Sequence, residues 1–255
     1  MLKIDRQNKI LDLLKRNDSV LVTELSDFFN CSDETIRRDL KELEKSNLLT
    51  RTHGGAFLTQ KNDKTYPTKI RNILLLKEKI RICKKALEII DNNDFIFLDS
   101  STTCYQLAKF ILESGLSVTI ATNSFIISQL CTQKKNDINL IVLGGYLRNN
   151  NMSTVGVEAV EQINNYFADK CFISPPKVNL EKGIFDNNIL ESKVREAMIT
   201  NSNKKIILAD NTKFQSITNY KITNTSNFDL LISDIELSTN KNDILKKYNV
   251  KFIQA

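Results

Sequence analysis

Residues 32–56, SDETIRRDLKELEKSNLLTRTHGGA, decide the reading of the first part of this chain. Ser32 is an N-capping side chain, and Asp33 and Glu34 follow it into the first turn, where the helix dipole favours negative charge. Ile36, Leu40 and Leu43 recur at i, i+4 and i+7 as one apolar stripe. At about 100° per residue, Glu34, Arg38, Lys41 and Lys45 point the opposite way, with Thr35 and Arg37 on the flanks. Asn47 can take the left-handed conformation that ends a helix. Leu48–Thr52 reads as a short strand, His53-Gly54-Gly55 as a turn, and Ala56-Phe57-Leu58 as the returning strand. A helix followed by a small basic hairpin is the pattern of a recognition helix and its wing.

Alone, such a helix would read as an amphipathic surface with a solvated charged face. Two further helices stand upstream at the right distances. Ile4–Arg16 carries Ile10, Leu11 and Leu14 on one side, and Thr23 is placed to cap Glu24–Phe29, whose Leu25, Phe28 and Phe29 supply core. Asn30-Cys31 turns the chain into the cap at Ser32. Helix, helix, tight turn, helix is the order in which the last helix enters the major groove of DNA.

A length of 255 residues suits two domains, and 41% hydrophobic with 26% charged residues is ordinary for a globular protein. The charge is unevenly placed. Residues 1–60 hold ten Lys/Arg and ten Asp/Glu, residues 61–85 hold nine and two, and residues 86–255 hold seventeen and eighteen. Attraction to phosphates therefore depends on where individual cations sit and on the basic stretch behind the wing. Cys31, Cys83, Cys104, Cys131 and Cys171 form no CxxC and are odd in number, which suits buried thiols in a reducing cytoplasm better than disulfides or zinc. No signal peptide or membrane-length apolar run is visible, and neither cofactor nor metal is expected.

Leu58–Thr68 loses periodicity and contains Pro67, so the expected plan is a winged helix-turn-helix domain over 1–58, a linker over 59–68 and a second domain over 69–255. Residues 69–90 read as one helix, with much of the basic charge on its exposed face. From Phe95 onward, short apolar strands (95–99, 117–121, 138–143, 170–174, 205–209, 229–233, 250–253) alternate with helices. That predicts an all-α winged helix-turn-helix domain followed by an α/β domain with a mostly parallel sheet covered by helices. Ligands of such sheets bind beyond the carboxyl ends of the strands. There the chain places Asp99-Ser100-Ser101-Thr102-Thr103, Thr122-Asn123, Gly144-Gly145 and Asp210 through Lys213. Ser, Thr, Asp and Asn also suit simple helix caps, but four such loops at one end of a sheet argue for a pocket. Backbone amides at 101–103 would cradle an anion, with Lys213 as a candidate counter-charge.

With both halves read, the chain resembles the DeoR family of bacterial transcription regulators over nearly its whole length. TIRRDLKELE (35–44) followed by RTHGGA (51–56) carries the resemblance most specifically, and LDSSTT (98–103), TN (122–123), LGG (143–145) and ADNTKF (209–214) extend it. The resemblance implies an operator-binding first half, usually of a repressor. It implies a second half, similar in fold to sugar-phosphate isomerases, that binds a phosphorylated sugar or similar metabolite and thereby changes operator affinity and oligomer packing. By matching positions, Ser32, Thr35, Arg37, Arg38 and Lys41 would face DNA, and Arg51 and His53 would lie on the wing. Asp39 would orient the neighbouring arginines. Asp99, Ser100, Ser101, Thr102, Thr103, Thr122, Asn123, Gly144, Gly145 and Lys213 would line the effector pocket. The partners implied are operator double-stranded DNA, that effector and further copies of the chain as a dimer or tetramer, with no membrane.

Two positions depart from the family pattern. Ser101 stands where glycine is usual, and SPPKV (174–178) replaces a more open glycine-containing loop, so Pro175 and Pro176 remove two amide donors. Two other functions compete. One is an isomerase or deaminase fused to a DNA-binding domain. It would need a general base, yet the only histidine is His53, and Asp99, Glu191 and Asp210 show no pairing in sequence. The other is a DNA binder without effector.

Overall fold

The computed structural model describes residues 1–46, 48–58, 67–133, 138–214 and 216–255. Asn47 and most of the expected linker, 59–66, lie outside the described residues. The chain divides into two compact units, Met1–Leu76 and Lys77–Ala255, so residues 69–76, assigned by sequence to the second domain, fall in the first unit.

The first unit contains α1 (Lys3–Asn17), β1 (Ser19–Leu21), α2 (Val22–Phe29), α3 (Asp33–Lys45), β2 (Thr50–Thr52), β3 (Gly55–Phe57) and α4 (Thr68–Ile73). Ile10, Leu14, Leu25, Ile36, Leu40 and Leu43 meet in one core, each worth about 1.5–3 kcal/mol when fully buried. Asn30 takes a left-handed conformation (φ 49°) between α2 and α3, which makes the tight turn.

The hairpin is joined by an unforeseen third strand, β1, which pairs antiparallel with β3. This changes the expected start of α2. The helix begins at Val22, and Leu21 rather than Thr23 occupies the cap position. Val22, Leu25 and Phe29 then share the inward face, leaving Phe28 turned outward and 59% exposed. Gly55 packs so tightly beneath the wing that an added Cβ would stand 2.1 Å from the Val20 carbonyl oxygen.

The helix expected over 69–90 is broken. Leu75 adopts φ 53°, which ends α4 and starts α5 (Leu76–Leu87). The apolar spacing continues across the break, so periodicity alone could not reveal it.

The second unit continues with β4 (Phe95–Leu98), α6 (Thr102–Ser114), β5 (Val118–Thr122), α7 (Phe125–Thr132), β6 (Ile138–Val142), β7 (Tyr146–Arg148), β8 (Ser153–Val155), α8 (Val157–Asn164) and β9 (Ala168–Ile173). It closes with β10 (Lys177–Asn179), β11 (Gly183–Asp186), α9 (Ile189–Thr200), β12 (Ser202–Ala209), β13 (Tyr220–Thr223), β14 (Leu230–Ser233), α10 (Thr239–Lys247) and β15 (Lys251–Gln254). Seven strands form one sheet in the order β15-β14-β12-β9-β4-β5-β6, with every neighbouring pair parallel. Alternate residues serve opposite faces. Phe97 joins the core under α8, α9 and α10, whereas Ile96 and Leu98 join the core under α5, α6 and α7. Burial on both faces is why these strands read as continuous apolar runs.

From β4 the chain winds one way through β5 and β6 and the other way through β9, β12, β14 and β15. The reversal lies between β4 and β9, and the crevice beyond their carboxyl ends is where such folds take ligands. Two small antiparallel elements decorate the sheet, the β7–β8 hairpin and the set β10-β11-β13. Strands this short left no readable alternation in the sequence.

Candidate functional site

In the first unit the expected reading helix forms as the sequence requires. The Ser32 hydroxyl accepts the Thr35 amide at 3.3 Å and lies 3.0 Å from the Thr35 hydroxyl, satisfying the free start of α3. Arg37, Arg38 and Lys41 are exposed on the face opposite the core. Arg37 and Arg38 make only open i,i+4 pairs, to Asp33 at 3.3 Å and Glu34 at 3.4 Å. Surface pairs of this kind are worth well under about 1 kcal/mol, so both guanidinium groups are available to a stronger acceptor.

Arg51 is placed differently. Its side chain donates to Glu44 at 2.8 Å and its backbone amide to the same carboxylate at 2.9 Å. Those bonds hold the Glu44 carboxyl below its usual range and tie the wing to α3. His53 is exposed at the wing's turn.

Asp39 does not orient the neighbouring arginines as expected. It is 1% exposed, pairs with Arg6 and accepts from Gln7 at 3.4 Å, both on α1. The reason is angular: Asp39 precedes Leu40 on the edge of the buried stripe, while Arg37 and Arg38 project to solvent. The residue clamps α1 to α3.

In the second unit the expected effector residues collect at the carboxyl ends of β4, β5, β6 and β12. After β4 the chain turns sharply. Asp99 accepts the Ser101 amide at 3.0 Å, the Ser174 amide at 3.1 Å and Arg195 Nε at 2.7 Å. It therefore anchors the turn across the β4–β9 reversal rather than facing an open cavity. The Ser101 hydroxyl caps α6 by accepting the Cys104 amide at 3.0 Å. Ser101 thus supplies the helix cap.

No acceptor is found among the described residues for the backbone amides of Ser100, Thr102 and Thr103. These residues are 1–4% exposed. Buried donors at the start of a 13-residue helix are expected to have a partner, and an anion is the natural one.

Thr122 donates to the Leu98 carbonyl at 2.7 Å, placing Asn123 beside Asp99 on the next strand. Asn123 Nδ2 donates to the Thr154 carbonyl at 2.9 Å, which fixes the amide orientation, since a flip would oppose two acceptors. Its Oδ1 is then left buried without a partner.

The glycines serve packing. The Gly144 amide is taken by Gln162 at 2.9 Å, and at Gly145 (φ 134°) a Cβ would stand 2.6 Å from the Val155 carbonyl. Lys213 follows β12, two strands from β4, and lies 3.8 Å from Asp210. Pro175 and Pro176 follow β9 on the other side of the reversal, so amide donors there come from the α6 side.

Sequence reasoning missed the polar cluster beneath this crevice. Glu191, 1% exposed in the first turn of α9, accepts from Arg148 at 2.8 Å, Asn151 at 2.7 Å, Ser153 at 2.6 Å and Ser100 at 3.2 Å. Burial alone would raise its carboxyl, but Arg195, Ser153, Asn151 and Arg148 outweigh it and hold the group below its usual range. Arg195 also pairs with Asp99 and Asp186. Burial would lower the Arg195 guanidinium, and these carboxylates together raise it instead. Burial pushes the Asp186 carboxyl up despite Arg195. The partners come from four separate segments, and only Glu191 and Arg195, four apart on α9, showed a sequence relation.

Chemically, the cluster is a network of satisfied charges. Burial likewise raises the thiols of Cys104, Cys131 (to about 11) and Cys171 (to about 12), so these cysteines stay protonated and unreactive. No group of three or more potential metal ligands occurs among the described residues.

Residues 6–62 match the family model of the DeoR-like helix-turn-helix domain, and residues 75–235 that of the DeoR C terminal sensor domain. The HTH-type transcriptional regulator GolR of Listeria innocua is 34% identical over 238 residues, 93% of each chain. The lactose phosphotransferase system repressor of Lactococcus lactis is 33% identical over 240 residues, again 93% of each. Among solved structures, a ribose 5-phosphate isomerase A from Methanocaldococcus jannaschii shares 19% identity and a TM-score of 0.39 over 53% of each chain.

Proposed function

The chain belongs to the DeoR family of helix-turn-helix transcription regulators, and from that premise we propose that it is a cytoplasmic repressor of sugar-metabolism genes. Its operator affinity changes when a phosphorylated sugar or related metabolite binds beyond the carboxyl ends of β4 and β5. In this reading α3 enters the major groove with Arg37, Arg38 and Lys41, and the wing carries His53 to the adjacent backbone. Two or more copies act together on operator half-sites about 10 bp or a multiple apart.

The observation that carries the effector reading is the set of buried amides at Ser100, Thr102 and Thr103 without acceptors. A phosphate would satisfy them, and a hydroxyl of the same ligand would donate to Asn123 Oδ1. Ligand and DNA are linked because the ligand favours one of two arrangements that differ in operator affinity. Catalysis is not part of the reading. The buried carboxylates Asp99 and Glu191 are consumed by fixed donors, and the relatives are regulators.

The test is binding of the full chain to duplex DNA from its own upstream region, with and without a panel of sugar phosphates. Specific binding released by one compound is the expected result. Specific binding that no phosphorylated compound alters would remove the effector half of the proposal.

A further inference from the structure

We propose that the exposed basic face of α5 is a second contact surface for double-stranded DNA, engaging phosphates outside the stretch read by α3. The proposal rests on the operator-binding reading and goes beyond it. It begins with a deficit. Residues 1–60 carry as many acidic as basic side chains, whereas affinity for duplex DNA comes largely from cations that neutralise phosphates and release counterions. Within residues 1–60, Arg6 is spent on Asp39, Arg51 on Glu44 and Lys3 on Glu42. Seven of the ten cations remain for phosphates, against an equal number of acidic side chains in the same stretch.

The character of α5 is the opposite. Its twelve residues, LKEKIRICKKAL, contain five Lys/Arg and one Glu. Ile82, Cys83 and Ala86 turn into the core. Lys77, Arg81, Lys84 and Lys85, at i, i+4, i+7 and i+8, emerge together on the outer side, and Lys77, Arg81 and Lys84 are exposed.

Acid neutralises this row only in part. Lys77 and Lys84 have no ion-pair partner among the described residues, and Arg81 reaches Asp234 only at 3.7 Å. Lys85 alone is closely paired, with Glu88 at 2.9 Å. A helix face left simply to water generally intersperses both signs. This one carries Glu78 as well as Lys85 but presents three exposed cations, Lys77, Arg81 and Lys84, along about 10 Å of helix. Lys77 is also the first residue of the second unit, so the row follows the DNA-reading unit directly along the chain. A polyanion with regularly repeated charge fits it, and the duplex held by α3 is that polyanion.

The experiment measures the affinity of the full chain for its upstream duplex and for a scrambled duplex at several salt concentrations. The wild type is compared with the triple variant Lys77→Gln/Arg81→Gln/Lys84→Gln. The expected result is a log–log salt slope shallower by about 2–3, at about 0.9 for each phosphate no longer neutralised. Affinity falls about tenfold or more on both duplexes, while their ratio is kept, because phosphate contacts carry no sequence information. The charge-preserving variant Lys77→Arg/Lys84→Arg retains the wild-type slope, and an unchanged melting temperature excludes misfolding as the cause. A wild type that binds while the triple variant keeps the same slope overturns this inference alone. A wild type that binds neither duplex overturns the operator reading and this inference with it.

Discussion

The Ser100 hydroxyl donates to Glu191 across 3.2 Å, joining the turn after β4 to the first turn of α9. The same carboxylate holds the β7–β8 segment through Arg148, Asn151 and Ser153. Removing its charge leaves buried donors poorly matched, a costly condition in a low-dielectric interior.

A pH dependence follows for Glu191. Its carboxyl lies below the ordinary value of 4.5 in the folded chain, so its contribution to stability is complete above that value. The contribution is lost as pH falls through the lower folded value. Asp186, raised by burial, acts in the opposite sense, so the wild-type profile alone mixes the two. Comparison with Glu191→Gln isolates the first. The expected melting-temperature gap is widest at neutral pH and closes on acidification below the ordinary glutamate range. A gap independent of pH would refute the assignment.

Thr102 is the first residue of α6 and follows Ser101 in extended conformation (φ −76°, ψ 154°). Proline is tolerated at that helical position and after such a residue. Thr102→Pro should therefore delete one amide of the anion cradle with little loss of stability. Sugar-phosphate affinity should fall about tenfold, the worth of one hydrogen bond to a charged group at about 1.5 kcal/mol. Calorimetric titration against the wild type measures it, and an unaltered affinity would place the phosphate elsewhere.

Asp39→Ala should destabilise the first unit by about 3 kcal/mol, because it strands Arg6 beside a core from which its counter-charge is gone. Denaturant unfolding monitored on the full chain should show the loss. Replacing both partners, Arg6→Met with Asp39→Leu, should restore much of it, as apolar replacement of a buried ion pair commonly does.

Arg38→Ala should separate stability from recognition. The side chain is 76% exposed and its pair with Glu34 is long, so stability should change by less than about 0.5 kcal/mol. Operator binding should weaken by about 1–3 kcal/mol if Arg38 reads a base. Fluorescence anisotropy on operator variants distinguishes the cases: relaxed preference at one base pair marks base contact, and uniform weakening marks phosphate contact.

The elements legible in the sequence were those with a local cause. Ser32, the Ile36–Leu40–Leu43 stripe and the apolar runs of the sheet each declare themselves within a dozen residues. Three features were not legible. Leu75 breaks a helix without disturbing its apolar spacing. Asp39 sits inside a basic motif but answers to α1, more than thirty residues away. Glu191 gathers partners as far away as Ser100, a separation of 91 residues, and only the sheet's winding brings them together. The residues of the turn after β4 stand together in the sequence, but their division of labour was not legible there. Asp99 and Ser101 build the turn, and the amides of Ser100, Thr102 and Thr103 are what the turn leaves open.

Gly55 sets a boundary on how this regulator can diverge. With the Val20 carbonyl 2.1 Å from where a Cβ would stand, and that carbonyl belonging to a strand of the same small sheet, any side chain there must push backbone aside. The wing's curvature is thus inherited from the chain beneath it. His53, exposed two residues earlier, is under no such restraint. On the proposed mode of DNA binding, descendants of this sequence can acquire new operators by exchanging the wing's tip and the outer face of α3, while the hinge of the hairpin stays frozen.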